Sequence, residues 1–287
     1  VGIEANVAFL GFSLVLLGLF NRIFFPMHYK NAYDLGKPFV AASVVEFFYI
    51  VLAEVCDHVI PYMKTVCESY ALRDQLRQWP VLLGGAAVFD YLCGCFNGAV
   101  IVSKYILRND VRNHGSGNAG FTNFFRNYGK STSLLVILID GLKTALSCLL
   151  GGWLLGKYGL PTEGMLLGGL CATLGHDFPA FLGFRGGKGI VCGFATALVT
   201  DWRVGLTLLA LFAVTYLLTK LVSLASMVSA LAFGILFAAL YPGHPFVLAI
   251  ALIMMLLTVF LHRSNLKRLV KGQETKTEFF KRRGEEK

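Results

Sequence analysis

The fold is indicated by an apolar stretch that reads SLLVILIDGLKTALSCLLGGWLL over residues 133–155. Its 23 residues exceed the ~20 that an α-helix needs to cross the hydrocarbon core of a bilayer. Asp140 and Lys143 are its only charged residues, and they are three positions apart. This spacing places both on one face of a helix, and ionisable groups within membranes are usually paired or functional. We therefore expect a transmembrane helix with an internal ion pair.

Comparable apolar segments recur in the second part of the chain, at 81–107, 163–182, 189–200, 204–219, 221–240 and 245–261. Each is expected to be a helix, because backbone groups in hydrocarbon must be satisfied within their own segment. The chain is 56% hydrophobic and only 15% charged, whereas soluble domains average about 25% charged residues. These features predict an all-α, polytopic transmembrane bundle with a seven-span core over residues 81–287.

Residues 1–80 are interpreted as an N-terminal, membrane-associated extension of one or two helical segments. The apolar run 5–25 lacks the basic start and the cleavage site of a signal peptide. The run 39–60 contains three acidic residues, so it either spans the membrane or lies at its interface. Residues 61–80 are expected to form a surface connector.

The lysines and arginines that give the chain its net charge of +9 are unevenly distributed along it. With seven spans and a cytoplasmic C-terminus, 17 of the Lys and Arg residues from Lys104 onward fall in cytoplasmic loops, and only Lys157 and Arg203 fall in loops opposite. This asymmetry follows the positive-inside rule. It predicts a multi-pass membrane protein and explains the charge without a nucleic-acid partner.

The seven cysteines are interpreted as small buried hydrophobes, because their number is odd and most lie in apolar runs. No group of His and Cys residues has the spacing of metal ligands. We therefore expect neither a metal nor another cofactor.

Three polar, glycine-rich segments interrupt the apolar pattern, and the topology above places all of them on the cytoplasmic side. The first reads HGSGNAGFTNFFR over residues 114–126. Its glycines allow backbone N–H groups to approach an anion, and Arg126 offers a planar pair of donors to phosphate. Neutral donors are supplied by Ser116, Asn118, Thr122 and Asn123. This density of donors favours an anion site over an ordinary polar loop.

The second segment reads GHDFP and then FRGGKG, and it ends at Gly189. Lys188 follows the glycine pair Gly186 and Gly187 at the start of an expected helix, where backbone N–H groups and the helix dipole favour an anion. We expect Lys188 and the backbone of the glycine pair to bind phosphate. The segment is not a Walker A motif, which would need an earlier glycine and a hydroxyl residue after the lysine. His176 is interpreted equally well as a structural hydrogen-bonding group or as a site residue.

The third segment reads HRSNLKR and begins at His262. A basic helix end is usually a membrane anchor, but His262 and Asn265 lie on one helical face, which favours a role in a site. Ser223 lies near the same side of the membrane, and either interhelical hydrogen bonding or a role in the site fits it. Cations, glycine-rich loops and a histidine beside a membrane together suggest assembly of a lipid head group.

Two other functions, a transporter and an inactive scaffold, fit these segments less well. A transporter of a phosphorylated or lipid solute would place its polar site near the bilayer midplane, often between internal repeats, and neither feature is evident here. An inactive scaffold would not require the cationic groups. The thioester-dependent glycerolipid acyltransferases carry H-x-x-x-x-D, and none of the six histidines is followed by Asp at that spacing.

The three segments resemble the motifs of the bacterial acyl-phosphate-dependent glycerol-3-phosphate acyltransferases. Those motifs read S-G-N-x-G-x-T-N-x-x-R, G-H-x-F-P-x-x-x-x-F-x-G-G-K-G and H-x-x-N-x-x-R-L-x-x-G-x-E, and all three occur here in that order. The chain departs from the family at Ala119, where a proline is common. The resemblance covers about residues 81–280.

The resemblance implies transfer of a fatty acyl group from acyl phosphate to the 1-hydroxyl of glycerol-3-phosphate, giving lysophosphatidic acid and phosphate in phospholipid biosynthesis. It implies a monomer without cofactor in the bacterial plasma membrane, with its active site facing the cytoplasm. Catalytic roles are implied for Ser116, Arg126, Lys188, His262 and Asn265. Substrate-binding roles are implied for Asn118, Thr122, Asn123, His176, Gly186, Gly187 and Ser223. Whether His262 or the substrate's own phosphate accepts the proton is left open.

Overall fold

The computed structural model describes residues 7–30, 36–59 and 72–277, and within these ranges the chain forms only helices and turns. The α-helices are α1 Val7–Lys30, α2 Gly36–Val59, α3 Leu72–Gly94, α4 Gly98–Ile101, α5 Phe121–Tyr128, α6 Lys130–Gly156, α7 Pro161–Asp177, α8 Ile190–Thr200, α9 Trp202–Thr219, α10 Val222–Leu240, α11 Pro245–Leu261 and α12 Arg263–Val270. A π-helix, Val102–Ile106, continues α4, and short 3-10 turns form at Val111–Asn113 and Ala180–Leu182. The all-α fold class is confirmed.

Helix α6 has the distribution of side chains that is typical of a membrane helix. Its buried stripe contains the polar groups and small residues, among them Ser133, Asp140, Lys143, Ser147 and Gly151. Its exposed stripe is apolar, at Leu134, Leu138, Leu142, Leu146, Leu149 and Trp153. In water this arrangement would be inverted, with the apolar stripe against the core. The outward stripe therefore fits contact with lipid.

Helices α6 and α7 pack closely because glycines face each other where they cross. A side chain added at Gly151 would collide with the carbonyl oxygen of Gly164, and one added at Gly164 would collide with that of Gly151. Small residues at such crossings are typical of membrane helix pairs. A buried apolar core then joins α7 to helices α8–α11, through Leu166, Ala197, Leu208, Phe237 and Val247.

The connections between the core helices gather at two opposite ends of the bundle. At one end, Thr277 donates its N–H to the carbonyl of Lys220 at 2.9 Å, so the C-terminal tail meets the α9–α10 connection. At the other, the Tyr241 hydroxyl contacts Asp201 Oδ2 at 3.1 Å, and His244 Nδ1 contacts Glu163 Oε1 at 2.9 Å. This is the grouping of loops that the charge asymmetry predicts. Which end faces the cytoplasm stays a prediction.

The described helices differ in how well each meets the length and composition of a membrane span. Among the described residues, four helical segments are long and apolar enough to cross a membrane, or up to six if each of two bent pairs forms one span. Helix α8 is apolar but has 11 residues, fewer than the ~20 that usually cross a bilayer. Helix α12 turns away from α11 by 57° at His262. The count of seven stays a prediction.

The apolar segment 81–107 is not the single helix that the sequence predicts. The helix ends at Gly94, and a new one starts at Gly98 because Asn97 caps it, its Oδ1 accepting the N–H of Val100 at 3.0 Å. An apolar count does not detect this break, since one asparagine among hydrophobic residues barely lowers the average hydropathy.

Contacts divide the chain into one unit that ends at Cys93 and a second that begins at Gly94. In the first unit, α1 packs against α2, with the Tyr49 hydroxyl donating to the carbonyl of Phe12 at 3.1 Å. The connector predicted for 61–80 is helical from Leu72 onward, and its residues 61–71 lie outside the described part of the chain. The domain boundary predicted at residue 80 stays a prediction.

Candidate active site

The backbone of the first glycine-rich loop, residues 114–120, is held by the side chain of Asn123, which lies in α5. The Asn123 Nδ2 group donates to the carbonyls of His114 and Asn118, both at 3.0 Å, and Oδ1 accepts the N–H of Ser116 at 3.0 Å. Asn123 is predicted to bind substrate, but it is buried, and in the structure its side chain fixes the conformation of the loop. Ser116 is left exposed at the loop's surface, and Thr122 lies half-buried in the first turn of α5.

The second loop, residues 183–189, lies directly against the first. The N–H of Ala119 donates to the carbonyl of Gly186 at 3.2 Å, and the Asn118 side-chain amide approaches the same oxygen at 3.4 Å. The two glycine-rich segments, far apart in sequence, therefore form one surface.

The backbone N–H groups of Gly186 and Gly187 were expected to bind phosphate, and the structure corrects this expectation. Gly186 donates its N–H to the carbonyl of Asp177 at 3.2 Å, and Gly187 donates to that of His176 at 3.0 Å. The loop folds back onto the end of α7, which uses these donors within the protein. The glycine pair thus fixes the loop and presents the residue that follows it, Lys188.

Beneath this loop lies a buried network, defined here as Asp140, Lys143 and His176. The predicted ion pair is confirmed, with Lys143 Nζ 2.8 Å from Asp140 Oδ1. His176 Nδ1 lies 3.1 Å from Lys143 Nζ and 3.3 Å from Asp140 Oδ1. His176 is only 3% exposed, so it lies under the candidate site as part of the support of the loop.

Gly187 is a glycine because the ring of His176 occupies the space that a side chain would need. An ideal Cβ on Gly187 would overlap His176 Nε2. The loop that carries Lys188 therefore packs closely against a member of the buried network.

A polar cluster forms where the second loop meets the C-terminal segment; it is defined here as Lys188, Ser223, His262, Asn265 and Glu274. Lys188 Nζ donates to Asn265 Oδ1. Asn265 Nδ2 donates to Glu274 Oε1 at 2.8 Å, and the Ser223 hydroxyl donates to the same oxygen at 2.9 Å. Residues from the second loop, α10, α12 and the tail therefore converge.

The centre of this cluster is Glu274, to which sequence reasoning assigned no role. Its second oxygen accepts from Arg268 Nε at 2.7 Å, and its carboxylate is almost fully covered. Burial raises the pKa of Glu274, but hydrogen bonds from Arg268, Asn265 and Ser223 together bring it below its ordinary value. The available signal was its place inside the third motif, nine residues after Asn265.

For two members of the polar cluster the pKa is lowered, which favours the neutral form of each group. Burial, followed by the positive charge of Arg268, lowers the pKa of Lys188 to about 8. Burial, followed by the charge of Lys188, lowers the pKa of His262 to about 4. His262 Nδ1 lies 2.8 Å from the carbonyl of Thr258, which can only accept, so Nδ1 carries the hydrogen. A neutral His262 therefore has an unprotonated Nε2, able to accept a proton.

Arg126 reaches the same end of the bundle from α5. Its Nε donates to the Thr277 hydroxyl at 2.9 Å, and its Nη2 donates to the carbonyl of Thr275 at 3.0 Å. The tail itself is fixed by the Tyr216 hydroxyl, which donates to the carbonyl of Thr277 at 2.8 Å. A role for Arg126 is predicted from the sequence, but its partners Thr275 and Thr277 are not, because they lie beyond the last position of the third motif.

Comparison with known proteins identifies the family to which this chain belongs. Residues 85–272 match the family model described as glycerol-3-phosphate acyltransferase. A curated glycerol-3-phosphate acyltransferase of Thermoanaerobacter pseudethanolicus is 38% identical over 190 residues, which cover 66% of this chain and 93% of that protein. The chain belongs to this family. It is an integral membrane glycerol-3-phosphate acyltransferase, and the transporter and scaffold alternatives are not supported.

Other relatives agree with this assignment. The acyltransferase of Finegoldia magna is 36% identical over 197 residues, covering 68% of this chain and 95% of that protein. A crystal structure of PlsY (YgiH), an integral membrane glycerol 3-phosphate acyltransferase in its glycerol 3-phosphate form, is 32% identical, with a TM-score of 0.62 over 68% of this chain and 96% of that one. The lysophosphatidic acid form of that protein is 31% identical, with a TM-score of 0.60 over 69% and 96% of the two chains.

Proposed function

We propose that this acyltransferase takes its acyl group from an acyl phosphate and transfers it to the 1-hydroxyl of sn-glycerol-3-phosphate at the cytoplasmic face of a bacterial plasma membrane. The observation that carries the proposal is the convergence of Lys188, Ser223, His262 and Asn265 on one end of the bundle, within a family named for glycerol-3-phosphate. The products are lysophosphatidic acid, as named for the second form of the related structure, and inorganic phosphate.

The charges at this end suit phosphate groups. Arg268 is neutralised by Glu274, at 2.7 Å, whereas Lys188 and Arg126 have hydrogen-bond partners that are uncharged. Two uncompensated cations match the charge of one phosphate dianion, and a half-buried site strengthens their attraction to it. We propose that Lys188 and Arg126 bind the substrate phosphates, with Thr277 giving up Arg126 when a phosphate is present.

The neutral donors around these cations complete the site. We propose that Ser116, Asn118 and Thr122 contact the acyl phosphate from the first loop, while Ser223 and Asn265 orient the glycerol-3-phosphate. Asn265 and Ser223 both donate to Glu274 Oε1, which holds the two side chains in fixed orientations. Asn265 keeps a second Nδ2 hydrogen for the substrate, and the Ser223 oxygen remains able to accept a hydrogen bond from a glycerol hydroxyl. Pre-oriented polar groups of this kind lower a barrier because they need no reorganisation when charge develops.

The reaction needs little more than positioning. The glycerol hydroxyl oxygen attacks the acyl carbonyl carbon, the bond from that carbon to the phosphate oxygen breaks, and phosphate leaves with the bonding electrons. An acyl phosphate is a mixed anhydride with a good leaving group, so orientation and charge neutralisation supply most of the catalysis. The hydroxyl proton goes either to His262 Nε2 or to the substrate's own phosphate.

The acyl donor is tested by supplying purified protein with palmitoyl phosphate and labelled glycerol-3-phosphate. We expect lysophosphatidic acid and inorganic phosphate in equal amounts, with the acyl group on the 1-hydroxyl by NMR. Palmitoyl-CoA and palmitoyl acyl carrier protein serve as parallel donors. Product from either thioester but none from palmitoyl phosphate would overturn the proposal. The expectation of no cofactor is tested in the same assay with a metal chelator, which should leave the rate unchanged.

The orientation is tested by labelling with a membrane-impermeant thiol reagent in intact cells and in inverted vesicles. Arg185→Cys and Thr275→Cys lie at the proposed cytoplasmic end, and Gly243→Cys lies at the opposite end. Each is placed in a variant whose seven native cysteines are replaced. We expect the first two to react only in inverted vesicles and the third only in intact cells. Light scattering after chromatography tests the proposed monomer.

A further inference from the structure

Helix α12 leaves the axis of α11 at an angle that keeps it near the membrane surface. The bend between the two helices is 57° and lies at His262. Val270 is the last residue of α12, and it lies about 12 Å beyond His262 along a helix axis. With α11 along the membrane normal, this path carries Val270 outward by only about 6–7 Å, close to the thickness of one head-group layer. Helix α12 therefore stays within the head-group layer.

The two sides of α12 have different surroundings. Asn265 is buried on the inward side, in the polar cluster. The outward side contains exposed residues at the spacing i, i+3, i+4 and i+7, which places them on one helical face: Arg263, Leu266, Lys267 and Val270. We call these four residues the basic face. A role in the site and a role as a membrane anchor were alternatives from the sequence, and α12 has a separate face for each.

The basic face combines apolar surface with positive charge that the protein leaves uncompensated. Val270 is 82% exposed, which is unfavourable for a large aliphatic side chain in water. Residues 263–271 include no acidic residue. Within the part of the chain that the structure describes, the ion pair of this helix joins Arg268 to Glu274 on another side. Arg263 and Lys267 therefore keep their charges for an external partner.

The position of Arg263 relates the basic face to the hydrocarbon boundary. Its guanidinium lies 4.4 Å from the centre of the Phe260 ring, and its Nη1 donates to the Phe260 carbonyl at 3.1 Å. Phe260 is exposed on the same outward face of α11 as Ile253 and Leu256, a face that fits contact with lipid. An arginine that lies against a lipid-facing ring extends its charge from the hydrocarbon edge into the head groups.

We propose that the basic face is a binding surface for anionic phospholipids, with Arg263 and Lys267 binding lipid phosphate groups while Leu266 and Val270 enter the edge of the hydrocarbon. Basic residues at a membrane surface are attracted to anionic lipid, and apolar side chains on the same face add buried area. A soluble acidic protein also matches the charges, but it does not match the depth that the bend and Phe260 give to this face.

Lipid bound at the basic face also affects the polar cluster. Helix α12 begins after His262 and carries Asn265 on its inward side, so a contact that holds its outward side limits the movement of both residues. We expect anionic lipid to raise turnover through this helix. The binding itself is separate from the proposed reaction and does not depend on which acyl donor the enzyme uses.

The first experiment measures the depth of α12 in vesicles of phosphatidylcholine and phosphatidylglycerol. A nitroxide is attached to Val270→Cys or, for reference, to Thr275→Cys, in a variant whose seven native cysteines are replaced. Collisions of each label with oxygen and with a water-soluble nickel complex are compared by EPR. We expect the label at position 270 to meet oxygen more often and nickel less often than the label at 275. Equal accessibility at both positions would mean that α12 lies in water, where an acidic protein is the better partner.

The second experiment measures the dependence on lipid charge with a variant of the basic face, Arg263→Gln, Lys267→Gln. Its matched control is Lys104→Gln, Lys276→Gln, which removes the same charge from exposed positions elsewhere on the predicted cytoplasmic side. Each protein is placed in nanodiscs of phosphatidylcholine, alone or with about 30% phosphatidylglycerol. The ratio of wild-type to variant kcat/KM should rise at least about threefold with the anionic lipid, as expected for two basic residues at an anionic surface. The corresponding ratio for the control should stay constant, and effects of lipid charge on the substrates cancel in both ratios.

The remaining outcomes decide between lipid binding and other roles of these cations. A ratio that is the same in both bilayers, or that changes as much for the control, rules out the proposed surface. In neutral detergent the basic-face variant should match the wild type, because no lipid charge is present. A large loss there would place the two cations in the reaction instead and would also contradict the proposal. Failure of the proposed acyl-phosphate reaction is seen separately, as absence of turnover with palmitoyl phosphate, and it leaves the depth measurement unaffected.

Discussion

The buried network and the polar cluster each contain a lysine, but they leave the two ammonium groups in opposite conditions. Lys143 Nζ has three oxygen acceptors at hydrogen-bonding distance, the carbonyls of Gly94 and Phe96 at 2.9 and 2.8 Å and Asp140 Oδ1 at 2.8 Å. These can take all three protons of the group. Among the described residues, Lys188 Nζ has Asn265 Oδ1 as its one hydrogen-bond acceptor. The first lysine is satisfied by the protein, and the second keeps donor capacity, which in the proposed function is used by a substrate phosphate.

This difference teaches how one end of the bundle is made both rigid and reactive. The buried network holds the end of α7 in place, and the end of α7 holds the loop that presents Lys188. Lys143 therefore supports the structure, whereas Lys188 has donors left for the chemistry. The following variants test this difference and are ordered from the largest expected effect to the smallest.

Removing the buried lysine should have the largest effect, and on stability. Lys143→Met removes the lysine partner of Asp140 and leaves its carboxylate with His176 Nδ1 at 3.3 Å and the N–H of Gly98 at 3.0 Å. Loss of this buried partner within the membrane region is expected to cost about 3–5 kcal/mol. Thermal unfolding in detergent measures the loss. Lys157→Met is the control, because Lys157 is exposed and its nearest recorded contact is the ring of Trp153. In the double variant Asp140→Asn, Lys143→Met, the combined loss should be smaller than the sum of the single losses. Strictly additive losses would show that the pair is not coupled.

Removing the incompletely satisfied lysine should instead affect turnover. We expect Lys188→Ala to lower kcat by about 100- to 1,000-fold, as for loss of a group that stabilises developing charge. Its thermal stability should stay near that of the wild type, since a half-buried ammonium is replaced without leaving a partner charge. Lys267→Ala removes an exposed charge from the same end of the bundle and should stay within about twofold of the wild type in a surface position. Near-normal turnover of Lys188→Ala would remove it from the site.

The link between the two regions is tested at Gly187. A methyl group there collides with His176 Nε2, so Gly187→Ala should displace the loop and lower kcat/KM by about 10- to 100-fold. The double variant Gly187→Ala, His176→Ala removes the obstacle and should recover part of that loss. If the loss of kcat/KM in the double variant equals the combined losses of Gly187→Ala and His176→Ala, the two residues act independently. The proposed contact between the loop and the buried network then has no effect on turnover.

The sequence predicts most of what depends on local pattern. The pairing of Asp140 with Lys143 follows from their spacing on one helix, and the convergence of the three glycine-rich segments follows from counting spans and charges. His176 was interpretable in two ways because its neighbours come from α6, 33 and 36 residues earlier, and spacing within its own segment does not reveal them.

Other features depend on contacts between distant segments and were missed. Arg126 meets Thr277 across 151 residues, and no pattern in the tail marks that contact. The N–H groups of Gly186 and Gly187 were assigned to phosphate because glycine-rich loops at helix starts often bind it. Only the path of the chain shows that the end of α7 takes them first. The sequence also does not reveal that Glu274 accepts from Ser223, which lies 51 residues earlier in the chain.

The smallest predicted effect is a pH dependence of kcat/KM that comes from the charge of Lys188. The pKa of Lys188 is lowered to about 8, so its positive charge is complete well below pH 8 and is lost as the pH rises through that value. If only the charged form binds phosphate, kcat/KM should fall above pH 8 and approach a tenfold decrease per pH unit. Lys188→Arg should retain its charge and shift this decline to higher pH. Both enzymes share the titration of the substrate phosphates, so the ratio of their kcat/KM values isolates the lysine. A ratio that stays constant from pH 7 to 9.5 would mean that the Lys188 charge is not what binds the substrate.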